Sequence, residues 1–422
     1  MRLLFCGDIL SNFECGTTAR SGIFFVASAL LDEFCKMEDT EVTVYTSFEK
    51  KDAVERFLQI SHPKLSVTTV RTLSHRKLKS YLRTQNTERE KNGKRKIRGS
   101  GRLIRLCDMM DGLMAGQDAE TFKSYDVFFS PCEAAPPAIE KTGIPIYTVI
   151  HDLIPIVTGE FVVGKGYWFY DVLKRVSPEK YYFCISECTK RDFLEYCPKA
   201  DPDHIRVAYN GFAPKDKKVT EEEAQHIIED VGLSWKQYVL ILGSVVPHKN
   251  VERQIRAGVR FIRECELSDY HVAVVGSCND PDKILKNTKI CEEDRSLVIF
   301  CGYVPDSHIG AYYKGAFCLS FTSLYEGFGL PALEAMNEGC PVVTSNTSSL
   351  PEVTGDAAVL ISPEDEEEHI KAYKRLLKDT TFRESLIVRG KERVTHFRWD
   401  QTAKQMMDGM KYDRTSGKKR IN

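Results

Sequence analysis

Apolar residues along this chain gather into short, dense, β-branched runs. "RLLFCG" begins at Arg2, "EVTVYTS" at Glu41, "DVFFSP" at Asp126, "IPIYTVI" at Ile144 and "KYYFCIS" at Lys180. The second half repeats the pattern with "QYVLILGS" from Gln237, "HVAVVGS" from His271, "LVIFCG" from Leu297, "FCLSFTS" from Phe317 and "CPVVTSN" from Cys340. These runs are near-continuous rather than alternating, which is the pattern of strands buried on both faces. Between many of them the spacing predicts helices, over residues 21–36, 251–264, 306–314, 331–338 and 366–378. Strand–helix alternation calls for parallel sheets joined by right-handed crossovers. A polar, lysine-rich break, "YNGFAPKDKKVTEEE" from Tyr209 to Glu223, divides the pattern in two. The expected fold class is α/β, with two doubly wound, Rossmann-like domains facing a cleft. Ligands in such folds sit at the carboxyl ends of the strands, and here also between the domains.

Composition narrows the class. The 422 residues exceed one ordinary core. With 59 Lys and Arg against 60 Asp and Glu, the net charge of −1 does not describe a general polyanion binder. The 14 cysteines form no CxxC pair and no metal-ligand spacing, so reduced thiols in a cytosolic protein and no bound metal are expected. Asp8 interrupts the first apolar run, so a signal peptide is not expected, and no run is long enough to span a bilayer.

One segment stands apart. Residues 71–105 carry 13 Lys or Arg against Glu88 and Glu90, a net of +11, and the middle of the segment is almost without apolar residues. It reads as a long basic loop inserted in the first domain, whose segregated charge points to an anionic partner. A solvated loop is the plainer alternative. Nucleic acid fits less well, because Tyr81 is the segment's one aromatic.

Four strand-to-helix turns carry the candidate chemistry. In "SLYEGFGLPALEAMNEG", Glu326 and Glu334 stand eight residues apart, and Gly327 and Gly329 let backbone amides approach a ligand. Pro331 starts a helix there, whose free N–H groups suit phosphate, while carboxylates suit the hydroxyls of sugar or ribose. In "LILGSVVPHKNVERQI", Gly243 and Ser244 end a strand, and Lys249 enters the next helix, where a bound anion would offset the opposed dipole. A solvated lysine is the alternative. "TVIHDLIPI" places His151 and Asp152 at a strand's carboxyl end, either as site residues or as a satisfied buried pair. "ECGTTARSGIFFV" offers Gly16 and Arg20 in a loop before a helix, with neither the GxGxxG nor the Walker pattern.

The run "YEGFGLPALEAMNEGCPVV" resembles the signature of the family-4 glycosyltransferases of GT-B fold, with Glu326 and Glu334 at the positions of their E-x7-E motif. "FCGYVPDSHIGAYYKGA", "SSLPEVTGDAAVLISPED" and "FRWDQTA" extend the resemblance, and "HDLIP", "CISECTKRDF" and "RVAYNGF" carry it into the first half. "HDLIP" with "SVVPHKN" is similar to bacterial mannosyltransferases of O-antigen type.

The resemblance implies an acceptor-binding domain over residues 1–212, a nucleotide-sugar-binding domain over 213–398, and a crossover helix and tail over 399–422 that returns to the first domain. It implies a retaining, metal-independent transfer of a hexose, with mannose favoured, from a nucleoside-diphosphate sugar to a hydroxyl acceptor, glycan or lipid-linked. No cofactor is expected beyond the co-substrate, for which GDP-mannose is favoured over UDP- or dTDP-sugars. A nucleotide-sugar-binding protein without catalysis is the alternative from another class. Glu334 would hold the ribose. Glu326 and the amides of Gly327, Phe328 and Gly329 would hold the donor sugar, and Lys249 the diphosphate. His151 would face the sugar, with Asp152 and Arg20 orienting sugar or acceptor and the Gly16 loop closing over the phosphates. Gly243, Val304 and Leu330 would complete the donor site. Many relatives carry an arginine near the strand glycine or just before the lysine. This chain has Ser244 and His248 there, and His248 is a cation only when protonated. The implied location is the cytoplasm, peripheral on the inner face of a membrane, with an anionic membrane surface as the partner of residues 71–105.

Overall fold

A computed structural model describes residues 1–14, 22–70, 73–91, 94–159, 168–214, 219–278 and 280–419. The first sheet has seven parallel strands: β1 (Arg2–Cys6), β2 (Glu41–Tyr45), β3 (Ser66–Thr68), β4 (Val127–Ser130), β5 (Ile146–Ile150), β6 (Tyr181–Cys184) and β7 (Ile205–Val207), in the order β3-β2-β1-β4-β5-β6-β7. The second has six: β8 (Tyr238–Leu242), β9 (His271–Val275), β10 (Val298–Gly302), β11 (Cys318–Phe321), β12 (Val342–Ser345) and β13 (Val359–Ile361), in the order β10-β9-β8-β11-β12-β13. Every pairing is parallel, so the crossovers must run over the sheet faces and bury them. The central strands are accordingly buried at nearly every position: Phe5 of β1 stacks on Phe129 of β4 at 5.6 Å, with Phe34 against Phe129 at 5.2 Å. In both sheets the strand order reverses beside the first strand, which opens a crevice at the carboxyl ends of β1 and β4 and of β8 and β11.

The final helix, Trp399–Lys419, returns to the first domain. Asp413 accepts from Arg206 of β7 at 2.6 Å and from the hydroxyl of Tyr147 of β5 at 2.8 Å, and Met406 and Met410 are fully buried. The two chain crossings touch each other: the Phe212 amide donates to the Phe397 carbonyl at 2.9 Å.

The basic segment 71–105 is corrected by the structure. It is not a loop but most of a helical hairpin, Ser74–Lys91 followed by Ser100–Phe122. Two of its cations, Arg76 and Lys79, are matched by acids that lie beyond residue 105. Arg76 reaches Asp111 at 2.6 Å and buried Asp118 at 2.7 Å, and Lys79 reaches Asp111 at 2.6 Å. Asn86 closes the turn, accepting from the Ile97 amide at 2.9 Å and donating to Ser100 at 3.0 Å. Charge-assisted bonds between helices supply the order that apolar spacing does not reveal. Among the described residues no helix is long and apolar enough to cross a membrane.

Candidate active site

The turn after β8 and the loop after β11 are tied together by backbone. The Leu324 amide donates to the His248 carbonyl at 2.7 Å, and the Asn250 side chain donates to the Thr322 carbonyl at 3.0 Å. Asn250 is in the left-handed region, φ 58°, which turns the chain from the short 3-10 turn Pro247–Lys249 into the helix Val251–Glu264. Lys249 is thereby aimed across the crevice, where its ammonium meets the Glu326 carboxylate at 2.6 Å. Ser323 donates to the same carboxylate oxygen at 2.6 Å, and the Glu326 amide donates to Ser348 at 3.1 Å. Glu326 is buried and Lys249 partly so, and a pair held this way is costly to break from either side.

Gly327 packs directly against the first domain. A Cβ there would lie 2.2 Å from the His151 carbonyl oxygen and 2.8 Å from the Asp152 Cβ. Its carbonyl accepts from Ser186 at 2.9 Å. Gly329 caps the helix Leu330–Asn337 at φ 113°, a conformation that glycine adopts without strain. Phe328 between them turns inward, its ring 6.2 Å from Tyr209 and 5.6 Å from Phe397. Glu352 completes the docking by accepting from the Glu187 and Cys188 amides, each at 2.9 Å, at the start of the helix Glu187–Tyr196. A carboxylate there also complements the helix dipole.

On the first-domain side, His151 and Asp152 follow β5. His151 Nε2 lies 2.6 Å from the Pro131 carbonyl, so it must be the protonated nitrogen, which leaves Nδ1 as the acceptor. Burial lowers the imidazole pKa to about 4, against the small upward pull of that bond, so the ring is neutral near pH 7. Burial pushes Asp152 up to about 6, opposed by its bond from the Ile154 amide. The nearby Glu326 raises it further and Lys249 lowers it, which places Asp152 within reach of the field of that pair. Both residues line a pocket of about 370 Å³ with Ile23 and Cys132.

The structure thus brings His151, Asp152, Lys249, Glu326 and Gly327 to one crevice. Glu334 faces a different pocket, of about 550 Å³, formed with Tyr313, Asp306 and the chain crossing at Phe212 and Pro214. The Tyr313 hydroxyl donates to its carboxylate at 2.7 Å. Gly243 ends β8 at φ 133°, and the Lys249 stem passes 3.9 Å from where its Cβ would be. Ser244 is exposed, His248 is buried in the turn, and Val304 and Leu330 are half-buried against the core. Gly16 and Arg20 lie outside the described residues.

Several participants carried no signal in the sequence. Ser323, Ser348, Ser186 and Glu352 are ordinary polar residues until the fold aims them. Asp8, Lys50 and Glu133 belong to a larger cleft in the first domain, of about 1890 Å³ and walled by Arg76, Lys79 and Arg83. Glu133 accepts from Lys50 at 2.9 Å, and burial together with Asp8 pushes its carboxyl above the usual range. Asp8 follows β1 and Glu133 follows β4, so the strand-end rule could have found them. Among the described residues, no group of three or more His, Cys, Asp or Glu is placed to hold a metal ion.

Two parallel doubly wound sheets, a crevice between them and a returning last helix define the GT-B fold of glycosyltransferases. Solved structures agree. The chain superimposes on Anabaena Alr3699/HepE, solved in complex with UDP and glucose, with a TM-score of 0.67 and 14% identity over 98% of this chain and 100% of that one. It superimposes on WaaG, a glycosyltransferase involved in lipopolysaccharide biosynthesis, with a TM-score of 0.60 and 15% identity over 96% and 98%. Residues 225–393 match the family model described as glycosyl transferases group 1, and this stretch is a group 1 glycosyltransferase domain.

Curated relatives include the O-antigen chain mannosyltransferase B of Escherichia coli, 32% identical over 189 residues, which are 45% of this chain and 49% of that protein. The serotype-specific mannosyltransferase WbdA of Escherichia coli is 29% identical over 282 residues, 64% of this chain and 34% of that protein. The chain therefore spans about half of the first of these relatives and about a third of the second.

Proposed function

We propose that the protein is a retaining glycosyltransferase that moves mannose from GDP-mannose to a hydroxyl of a glycan acceptor. The observation that carries this reading is the Lys249–Glu326 pair at 2.6 Å, set at the crevice where Gly327 meets His151 and Asp152. The mannosyltransferase names of the relatives support the choice of sugar. The diphosphate enters between Lys249 and the N-terminus of the helix Leu330–Asn337. There it draws the lysine toward itself and leaves Glu326 to accept from the sugar hydroxyls. As the bond from the anomeric carbon to the β-phosphate oxygen lengthens, negative charge grows on the diphosphate. Lys249 and the helix amides meet that charge without reorganising. The acceptor hydroxyl attacks the same face that the phosphate leaves, and the departing phosphate oxygen takes its proton. Charge is thus compensated by the chain's own groups, and transfer proceeds without a metal ion. His151 Nδ1 and the Glu326 carboxylate orient the sugar. The donor then spans the crevice and the pocket that Glu334 faces, where this carboxylate, fixed by Tyr313, accepts from the ribose hydroxyls. The acceptor's further sugars lie in the first-domain cleft, whose interleaved carboxylates and cations match a polyol.

Thermal-shift measurements against GDP-, UDP-, dTDP- and ADP-sugars test the reading, since a ligand bound only by the folded state raises its melting temperature. GDP-mannose is expected to give the largest upward shift, and Glu334→Ala to abolish most of it. A larger shift with a UDP- or dTDP-sugar would replace the donor. No shift with any of the four would refute a nucleotide-sugar site.

A further inference from the structure

The inner side of the helical hairpin walls the first-domain cleft, while its outer side carries an unusual surface. Seven of the fourteen large hydrophobic side chains exposed among the described residues belong to it: Leu78, Tyr81, Leu103, Leu106, Met109, Met110 and Leu113. On the helix Ser100–Phe122, Leu103, Leu106, Met110 and Leu113 recur at spacings of three and four and so share one face, with Met109 beside them. Cys107, Ala115, Asp118, Ala119 and Phe122 are buried on the opposite face, against the rest of the first domain. The apolar stripe is therefore not a core face misplaced outward; the helix already has its core face.

Charge on this surface is one-sided. Arg102 and Arg105 are exposed on the outward side of the same helix, and Lys94, Arg95, Lys96 and Arg98 are exposed at the hairpin tip. Of the helix's acids, Asp111 turns to Arg76 and Lys79 of the neighbouring helix at 2.6 Å each, Asp108 reaches Lys79 at 3.1 Å and buried Asp118 reaches Arg76, while exposed Glu120 is paired with Lys123 at 2.5 Å. The sequence holds no Asp or Glu from Lys91 to Cys107.

We propose that this face is a docking surface for an anionic lipid bilayer. A helix lying in the interface plane needs apolar side chains to enter the acyl boundary and cations at their rim to meet the lipid phosphates. The hairpin supplies both on one side. On the helix Ser100–Phe122 the most exposed apolar side chains are Leu113 at 76%, Met109 at 58% and Leu106 at 48%, so these three enter first, with Tyr81 of the other helix at 59% beside them in exposure. A second copy of the chain that paired its stripe in parallel about a two-fold would bring Arg102 and Arg105 against their own copies. This inference goes beyond glycosyl transfer and is independent of which donor the protein takes.

Co-sedimentation of the full chain with vesicles tests it. The vesicles are phosphatidylcholine alone, or with about one quarter phosphatidylglycerol, at about 0.1 M and 0.5 M salt. The wild type is expected to pellet with the anionic vesicles and not with the neutral ones. Leu106→Ser/Met109→Ser/Leu113→Ser and Lys94→Ser/Arg95→Ser/Lys96→Ser/Arg98→Ser should each bind at least about tenfold more weakly. The altered side chains are exposed, so melting temperature and donor-induced shift should match wild type in both variants, which separates docking from folding and from the donor reading. A Leu113→Trp reporter should shift its emission to the blue on anionic vesicles. Wild type that stays in the supernatant, an apolar-face variant that binds as well as wild type, or an unmoved reporter would overturn the proposal. So would a dimer in sedimentation velocity that the apolar-face variant abolishes, because the face would then be a self-interface.

Discussion

Lys249→Ala is expected to lower kcat/KM by thirty- to thousandfold, the equivalent of a charge-assisted contact of roughly 2–4 kcal/mol lost in the transition state. The ammonium is the cation that the fold aims at Glu326 across the crevice, 2.6 Å from its carboxylate, with its stem laid over Gly243. Its removal also strands a buried carboxylate, so some loss of thermal stability accompanies the loss of rate. The two effects separate in the double variant Lys249→Ala/Glu326→Gln. Neutralising the stranded acid should restore the melting temperature while turnover stays low. Steady-state kinetics with the melting curve of each variant make the comparison. A single variant within about threefold of wild type in kcat/KM would place the diphosphate elsewhere.

Gly327→Ala should be as damaging for a different reason. The methyl group has backbone, not a movable side chain, in its way: the His151 carbonyl oxygen at 2.2 Å and its carbon at 3.2 Å. The clash can be relieved only by moving the His151 turn and the Glu326 loop apart, which also strains the Ser186 bond to the Gly327 carbonyl. A displacement of about 1 Å between groups that must act together costs roughly a hundredfold in rate. We expect at least that loss in kcat/KM, a folded protein by circular dichroism, and a melting temperature a few degrees lower. Activity within threefold of wild type would mean that the domains need not approach at Gly327 for transfer.

What the chain's pattern reveals and what it hides follow from physical causes. The ten apolar runs are strands because double burial leaves no room for polar alternation. β3, β7 and β13 escape notice because they are three-residue edge strands, β3 with no buried position and β7 and β13 with one each. The helices 251–264 and 366–378 end where their spacing predicts. The hairpin is hidden because its buried face is mostly small residues reinforced by ion pairs, and because Asp111 and Asp118 lie past the end of the basic run. Among site residues, Glu326 and Lys249 are legible singly from their turns, whereas their pairing joins positions 77 residues apart. The contact of Gly327 with His151 likewise needs both domains in place, and so does the capping of a first-domain helix by Glu352.

The central claim is that these groups transfer a sugar with retention, and it can be tested without knowing the acceptor. A retaining transferase left alone with its donor slowly passes the sugar to water. Proton NMR of the protein with GDP-mannose resolves both released GDP and the configuration of the first mannose to appear. The account predicts GDP above the boiled-protein blank, α-mannose ahead of its mutarotation to the β form, and loss of both signals in Lys249→Ala. Release of β-mannose first, or no nucleotide above the blank from GDP-mannose or from any UDP-, dTDP- or ADP-sugar, would contradict it.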